Sequence, residues 1–341
     1  MRPQKIGWTN GILIDTGHSR LLFDQTPGGP SRRNVPVFIT HAHSDHTYGF
    51  TTRAEKHSTL TTLQIYQALV DRQVQNVRVL NVGDRIKIDD CEIRALNAGH
   101  MLGSCQYEIA SSEFTAVYTG DINCVDTLTT EAADVASCDC LIIEATYGHP
   151  SYVFPRRSTM YADIVSWAMS EISEGKIPAF QVYSSGKPQE VIRLFNVYTK
   201  IPVICSPTIA SASRVHTENG VKLEYLESAL PEGKKMLEAG GCVYVTSSRR
   251  GFLPRNASRA FATGWALRHS YRDSTSFPLS SHADHDQLLE YVKKTNPRRV
   301  YVFTGYSDVL AMEIERKLRI KATPLPVIAQ TKLHDFSERF T

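Results

Sequence analysis

The chain contains the stretch VPVFITHAHSDH at residues 35–46, in which an apolar run leads into three histidines and an aspartate. The run has the β-branched and aromatic residues of a buried strand. Imidazole and carboxylate groups are the usual nitrogen and oxygen ligands of zinc. Alternate side chains of an extended backbone share a face, so His41 and His43 can meet one ion. The turn that follows can direct Asp45 and His46 at a second ion. A polar surface loop is the alternative, and it is less favoured because such loops rarely follow a strand with so many ligands.

Later positions can complete a pair of metal sites. His100 lies among glycines, which let a backbone turn sharply and approach an ion. Asp121 follows an apolar run, and a carboxylate there could bridge two ions about 4 Å apart. Each alone is typical of a turn or cap, but together they predict a first site of His41, His43, His100 and Asp121 and a second of Asp45, His46 and Asp121. Asp24 is expected to orient a ligand imidazole, with a turn-starting aspartate almost equally favoured.

The composition is that of an ordinary globular protein. Apolar residues make up 42% of the 341 residues and charged residues 21%, and the net charge of +3 is too small to imply a nucleic-acid partner by itself. No apolar stretch reaches the roughly 18 residues of a membrane span. The N-terminus leads into no apolar segment typical of a secretory signal. Seven scattered cysteines favour a reducing compartment, so we expect a cytoplasmic protein without membrane association.

The secondary-structure pattern changes along the chain. Residues 1–145 read as strands separated by turns, with one clear helix at Thr62–Val74. Residues 158–246 alternate between strand and helix, which predicts a parallel sheet covered on both faces. Strand and helix patterns return after Ser276. We therefore expect one domain from residues 1–149 and 276–341, with a second domain inserted at 150–275.

Two segments of the expected insertion are suited to phosphate. The segment Ser184, Ser185, Gly186 and Lys187 precedes a helix, whose free amides and dipole favour an anion, although a plain helix cap is as good an interpretation. Residues 241–272 carry six arginines and no acidic residue, which favours contact with a polyphosphate backbone over a solvated basic face. Within that stretch, Ser247, Ser248, Arg249 and Arg250 could hold a terminal phosphate.

The ordered set Asp24, His41–His46, His100 and Asp121 resembles the metallo-β-lactamase superfamily. Glu144, in IIEATYG, and His282, in LSSHAD, resemble two signatures of its β-CASP branch of nucleases. The resemblance spans almost the whole chain and is closest to short microbial exonucleases associated with DNA ligase. It implies an α/β fold: a four-layer αβ/βα sandwich with an inserted β-CASP domain and a substrate cleft between the two.

The resemblance also implies roles for the site residues. Zinc would occupy one tight and one weaker site, with Mn²⁺ or Mg²⁺ as alternatives in the weaker one. Asp45 would act at the second metal, and His282 would protonate the leaving oxygen with Glu144 polarising its ring. Thr304 stands where RNA-cleaving members carry a metal-ligating histidine. Artemis- and Apollo-like DNA nucleases also lack this histidine, so Thr304 favours a DNA substrate. His285 could compensate, but a helix start is the favoured interpretation for it.

These features predict a metal-dependent nuclease, with DNA favoured over RNA as its partner. The expected activity is that of a DNA exonuclease in repair, with a possible functional link to a DNA ligase. An RNA nuclease in RNA processing or decay is the alternative, separated from it only by Thr304. Hydrolysis of a thioester or lactam would leave the insertion, Glu144 and His282 unexplained. A non-catalytic binding subunit is disfavoured because a metal-binding residue occupies every ligand position except that of Thr304.

Overall fold

A computed structural model of the protein describes residues 5–28, 35–247 and 253–325. Its first sheet has six strands in sequence order, antiparallel through β3 and parallel after it. The strands are β1 (Lys5–Trp8), β2 (Ile12–Asp15), β3 (Arg20–Phe23), β4 (Val37–Phe38), β5 (Lys56–Ser58) and β6 (Val77–Val79). Helix α1 (Leu60–Val70) follows β5; Thr59 caps its first turn and Asp71 ends it in the left-handed conformation.

The second sheet has seven strands in the order β19-β18-β11-β10-β9-β8-β7. They are β7 (Arg85–Ile88), β8 (Cys91–Asn97), β9 (Cys105–Ala110), β10 (Thr115–Tyr118), β11 (Cys140–Glu144), β18 (Arg299–Phe303) and β19 (Lys321–Pro324). Helices α6 (His285–Thr295) and α7 (Ser307–Leu318) accompany this sheet. His285 is the first residue of α6, in agreement with its interpretation as a helix start.

The two sheets face each other across a shared core. Phe23 and Phe38 of the first sheet stack at 5.0 Å between ring centroids, and both contact Tyr107 of the second. The outer face of the first sheet packs on α1 and the helical turn at Thr47–Thr51, and that of the second packs on α6 and α7. Helix, sheet, sheet and helix therefore form four layers, and the predicted α/β sandwich is confirmed.

A third sheet lies within residues 177–277, and all its strands are parallel in the order β14-β13-β15-β12-β16-β17. They are β12 (Ile177–Gln181), β13 (Val203–Cys205), β14 (Leu226–Glu227), β15 (Val243–Thr246), β16 (Ala257–Ala262) and β17 (Thr275–Phe277). The accompanying helices are α2 (Arg157–Ser173), α3 (Lys187–Tyr198), α4 (Pro207–Glu218) and α5 (Pro231–Ala239). Strand β17 runs two residues past the expected boundary at 275, and the separate inserted domain stays a prediction.

Among the described residues, none of the helices combines the length and apolar character that a bilayer crossing would require. All seven cysteines are free, and six of them are buried.

Candidate metal centre

The predicted ligands meet where strands of the two facing sheets end. The chain leaves β4, passes Thr40 and His41, and then turns, with the His46 amide donating to the His43 carbonyl. His100 lies in the loop after β8, and Asp121 lies in the loop after β10. Gly120 has a φ of 52°, and a Cβ there would lie 2.7 Å from Thr40. A glycine at this position therefore lets the Asp121 loop approach the histidine cluster.

Three imidazole nitrogens converge with the spacing of ligands that share an ion. The His43 Nδ1 atom lies 3.1 Å from His41 Nε2 and 3.1 Å from His100 Nε2. Asp121 Oδ2 lies 3.5 Å from His41 Nε2 and 3.8 Å from His100 Nε2. Nitrogens bound to one tetrahedral zinc at about 2.0–2.1 Å would lie about 3.3 Å apart. The four side chains therefore fit a single cation.

Hydrogen bonds on the far side of each ring leave the converging nitrogens with their lone pairs. His100 Nδ1 lies 2.8 Å from the Ser281 carbonyl and His43 Nε2 lies 3.2 Å from the Ser185 carbonyl. Carbonyls only accept, so those ring atoms carry the protons. The Thr40 hydroxyl donates to Asp24, so it accepts from His41 Nδ1 at 3.0 Å. Each imidazole is thus held in the tautomer that can bind a metal.

Asp24 is the centre of this orienting network. Its carboxylate accepts from the Thr40 amide at 2.8 Å, the Thr40 hydroxyl at 2.7 Å and the Tyr118 hydroxyl at 2.9 Å. It also lies 2.8 Å from His46 Nδ1, which turns His46 Nε2 toward Asp121 at 3.5 Å. Asp24 therefore links strands of both sheets to the ligand cluster. Sequence reasoning named Asp24 but missed Thr40 and Tyr118, since nothing local marks either side chain.

Burial adjusts the protonation of the cluster. Burial, assisted by the neighbouring imidazoles, lowers the pKa of His41 and of His100 well below the ordinary histidine value. Burial also lowers the pKa of His43 to about 4 and raises the pKa of Asp121 to about 7. Neutral imidazoles are the form that binds a metal, and a cation beside Asp121 would favour its ionised form.

The predicted second site is more open. Asp45 Oδ2 lies 3.5 Å from His46 Nε2, and the Asp45 side chain is 57% exposed. His46 is buried and reaches the shared Asp121, as described above. Burial alone would lower the pKa of His46, but Asp121, Asp45 and Asp24 together raise it well above the ordinary value. Beyond the shared carboxylate, this set offers two protein ligands, Asp45 and His46, and the weaker second site stays a prediction.

Glu144 and His282 form a pair beside the cluster, in which Glu144 is buried and His282 is half-buried. His282 Nδ1 lies 2.9 Å from Glu144 Oε1 and 4.0 Å from Asp121 Oδ2. The Glu144 carboxylate also accepts from the amides of Ile122 and Thr146. Burial alone would lower the pKa of His282, but the two carboxylates raise it. The geometry suits a protonated His282 held toward Asp121. The ligand atoms of Asp121, Glu144 and His282 also lie close enough together to share a cation.

The phosphate prediction for Lys187 needs a correction. Its side chain is buried, and its Nζ donates to the Leu279 carbonyl at 2.8 Å and to the Ser281 hydroxyl at 3.2 Å. Burial lowers the pKa of Lys187 to about 8. The amine therefore supports the loop at residues 279–281, to which both of these hydrogen bonds go. Among the other predicted phosphate contacts, Ser185 and Gly186 are buried beside His43, while Ser184 and Ser247 are half-buried. The remaining three, Ser248, Arg249 and Arg250, lie outside the described residues.

Sequence reasoning missed a clamp on the loop that carries His282. The guanidinium of Arg157 donates to Glu190 and to the Ser280 carbonyl, and the Tyr161 hydroxyl donates to Glu190 at 2.5 Å. The side chains of Arg157 and Glu190 are 14% and 3% exposed. Together with Lys187, the clamp attaches residues 279–281 to α2 and α3. Its members are far apart in the sequence, so no local pattern identifies them.

Thr304 adopts an unusual backbone. Its φ is +59°, which is an outlier for a β-branched residue. Gly305 follows with a φ of 53°, and a Cβ there would lie 2.2 Å from the Ala145 carbonyl oxygen. The left-handed pair therefore packs this loop tightly against the segment that follows Glu144.

Comparison with known proteins finds a family model and curated relatives that match this chain. The family model described as a beta-lactamase superfamily domain matches residues 10–173. The chain is 28% identical over 301 residues to a protein named probable DNA ligase from Opitutus terrae, an alignment that covers 84% of this chain and 28% of that protein. It is 27% identical over 264 residues to an RNase J-like protein of Methanocaldococcus jannaschii, covering 69% of this chain and 62% of that protein. The chain therefore spans less than a third of the first relative's length.

A solved structure shares the fold. The crystal structure of a protein of unknown function from Enterococcus faecalis V583 matches with a TM-score of 0.63 and 12% sequence identity. The match covers 87% of this chain and 92% of that one. At this identity the likeness concerns the fold alone.

Proposed function

This chain carries a domain of the metallo-β-lactamase superfamily, and from that premise we propose that it is a metal-dependent nuclease of the β-CASP type. The observation that carries the proposal is the convergence of three correctly protonated imidazoles and Asp121, with Glu144 and His282 beside them. A divalent cation held there would make water nucleophilic near neutral pH and would neutralise charge on the phosphoryl oxygens.

The chain's own residues would perform the remaining tasks. The tight site would use His41, His43, His100 and Asp121, and the weaker one would use Asp45, His46 and Asp121, with zinc as the expected metal. Asp24 would hold the ligand rings in place. The position of His282 suits proton donation to the leaving oxygen, since its partner Glu144 stabilises the protonated ring.

DNA is the favoured substrate, and exonucleolytic repair is the favoured context. The relative named as a probable DNA ligase aligns with 84% of this chain, which supports a functional link to ligation. Thr304, in place of a metal-ligating histidine, points the same way. We also propose that residues 150–275 form a domain that completes the substrate cleft. RNA cleavage is the second candidate, because the RNase J-like relative aligns with 69% of this chain.

The test incubates purified protein with end-labelled single- and double-stranded DNA and RNA, each with and without a 5′-phosphate. Zinc, Mn²⁺ or Mg²⁺ is supplied, and a chelator arm removes them. Cleavage that disappears with chelator and in His43→Ala would support a metal-dependent nuclease. The matched control is His18→Ala, because His18 is an exposed histidine in a turn. Activity that survives in His43→Ala, or no cleavage of any strand with every metal, would refute the proposal.

A further inference from the structure

A cavity of about 300 Å³ lies apart from the ligand cluster, and the proposed chemistry does not use it. Its walls combine basic and aromatic side chains, which are His149, Ser151, Tyr152, Arg268, His269 and Tyr306. No carboxylate lines it among the described residues. A cavity of this composition is suited to an anion that carries an aromatic ring.

The basic wall is available to a ligand. Within residues 5–28, 35–247 and 253–325, no acidic side chain forms an ion pair with Arg268, and the residue is exposed. Arg268 belongs to the arginine stretch at 241–272 that contains no acidic residue. An unpaired guanidinium offers a phosphate two parallel hydrogen bonds. Arg268 therefore gives one member of that stretch a defined place.

His149 adds a donor. The Ser151 amide donates to His149 Nδ1 at 3.1 Å, so the lone pair is on Nδ1 and the proton of the neutral ring is on Nε2. In the described part of the chain, that Nε2–H has no acceptor. The ring of His149 lies 5.3 Å from that of Tyr306, so basic and aromatic groups adjoin.

The aromatic wall is continuous with the catalytic residues. Tyr306 contacts Tyr152 at 5.6 Å between centroids, and Tyr152 contacts Tyr147 at 5.1 Å. Tyr147 in turn lies 5.8 Å from the ring of His282. A strand of B-DNA advances about 3.4 Å per nucleotide, so the cavity lies within a few nucleotides of a scissile bond held at His282.

We propose that this cavity is a nucleotide subsite, in which Arg268 and the two histidines bind a phosphate and Tyr306 stacks on the attached base. The inference rests on the proposed nuclease function and deepens it, because the subsite would hold a nucleotide flanking the cleavage position. Stacking on an aromatic ring tolerates every base, so the subsite orients a strand without reading its sequence.

The test uses deoxyadenosine 5′-monophosphate and the intact protein in chelator, so that binding is measured without a metal. Trp265 is the reporter, because its ring lies 6.4 Å from the rings of both Tyr306 and His269. We expect the nucleotide to quench tryptophan fluorescence, and Trp265→Phe to abolish the change. Deoxyadenosine and inorganic phosphate should each bind at least about tenfold more weakly than the nucleotide, because each makes only one kind of contact.

Arg268→Ala is expected to weaken binding about tenfold or more, through loss of charge-assisted hydrogen bonds. Arg272→Ala is the matched control, since the Arg272 side chain is 93% exposed and its removal changes the net charge equally. An unchanged affinity in Arg268→Ala, or the same loss in both variants, would overturn the subsite.

Cleavage by the metal-loaded wild-type protein is measured separately. Cleavage without nucleotide binding would reject the subsite and leave the nuclease proposal standing. Nucleotide binding that depends on Arg268, together with no cleavage of any strand, would support the subsite and reject the nuclease.

Discussion

Removing the charge of Glu190 should destabilise the protein more than its single atom change suggests. In Glu190→Gln the side chain keeps its shape, but the guanidinium of Arg157 becomes a buried charge without a counterion. Both side chains are almost fully buried, at 14% and 3% exposed. Breaking a pair of this kind typically costs about 3–5 kcal/mol. The amide oxygen of Gln can still accept one of the hydrogen bonds that Arg157 and Tyr161 now donate, so we expect about 3 kcal/mol.

The measurement is urea unfolding at pH 7 followed by far-UV circular dichroism. Glu92→Gln is the control, because Glu92 pairs with Arg85 while both side chains are about half exposed, at 50% and 54%. Such a surface pair contributes about 1 kcal/mol or less. The double variant Arg157→Met/Glu190→Leu should recover most of the loss, since it leaves no buried charge. A loss in Glu190→Gln as small as that in Glu92→Gln would refute the reasoning.

Three further outcomes are expected. The pKa of Lys187 is about 8 in the folded protein against 10.5 in a free chain, so between these pH values the unfolded chain binds more protons than the folded one. The free energy of unfolding of the wild type should therefore rise with pH in this range relative to that of Lys187→Met. We expect a rise of at most about 3 kcal/mol, measured by urea titrations. Asp24→Asn should weaken zinc binding about 10–100-fold in a competition assay with a chromogenic chelator, because the ligand rings lose their orienting acceptor. His282→Ala should keep the zinc content of the wild type by elemental analysis yet lose turnover; full activity would contradict its role.

The ligand cluster could be predicted because its residues follow a buried strand at short spacing. A run such as HAHSDH needs no tertiary information to suggest a metal, and the strand before it explains why its side chains project together. Asp121 and His100 could also be predicted, because Asp121 follows an apolar run and His100 lies among glycines.

The hydrogen-bond partners that orient the histidine rings could not be predicted from the sequence. His43 takes its partner from Ser185, and His100 takes its partner from Ser281, which is 181 residues away. Both acceptors are main-chain carbonyls, which every residue has, so no residue type marks them. Only the fold decides which carbonyl faces which ring.

For Lys187, the sequence predicts the start of the helix correctly but not the role of the side chain. The segment from Ser184 to Lys187 is predicted to lead into a helix, and α3 does begin at Lys187. The direction of the side chain depends on the loop at 279–281, which the local sequence does not contain. Helix α4 was missed for another reason: its buried positions are mostly small residues, such as Ala210 and Ala212, which give a weak apolar periodicity.

Ser281 contacts both the ligand cluster and the first residue of α3. Its carbonyl accepts from His100, while its hydroxyl accepts from Lys187 at the start of α3. A strand that displaced α3 would change the affinity of the site for its cation, and thermodynamic linkage requires the cation to change the affinity for the strand by the same factor. For the proposed nuclease, metal supply in the cell would then set how tightly the protein holds a nucleic-acid strand as well as how fast it cleaves that strand.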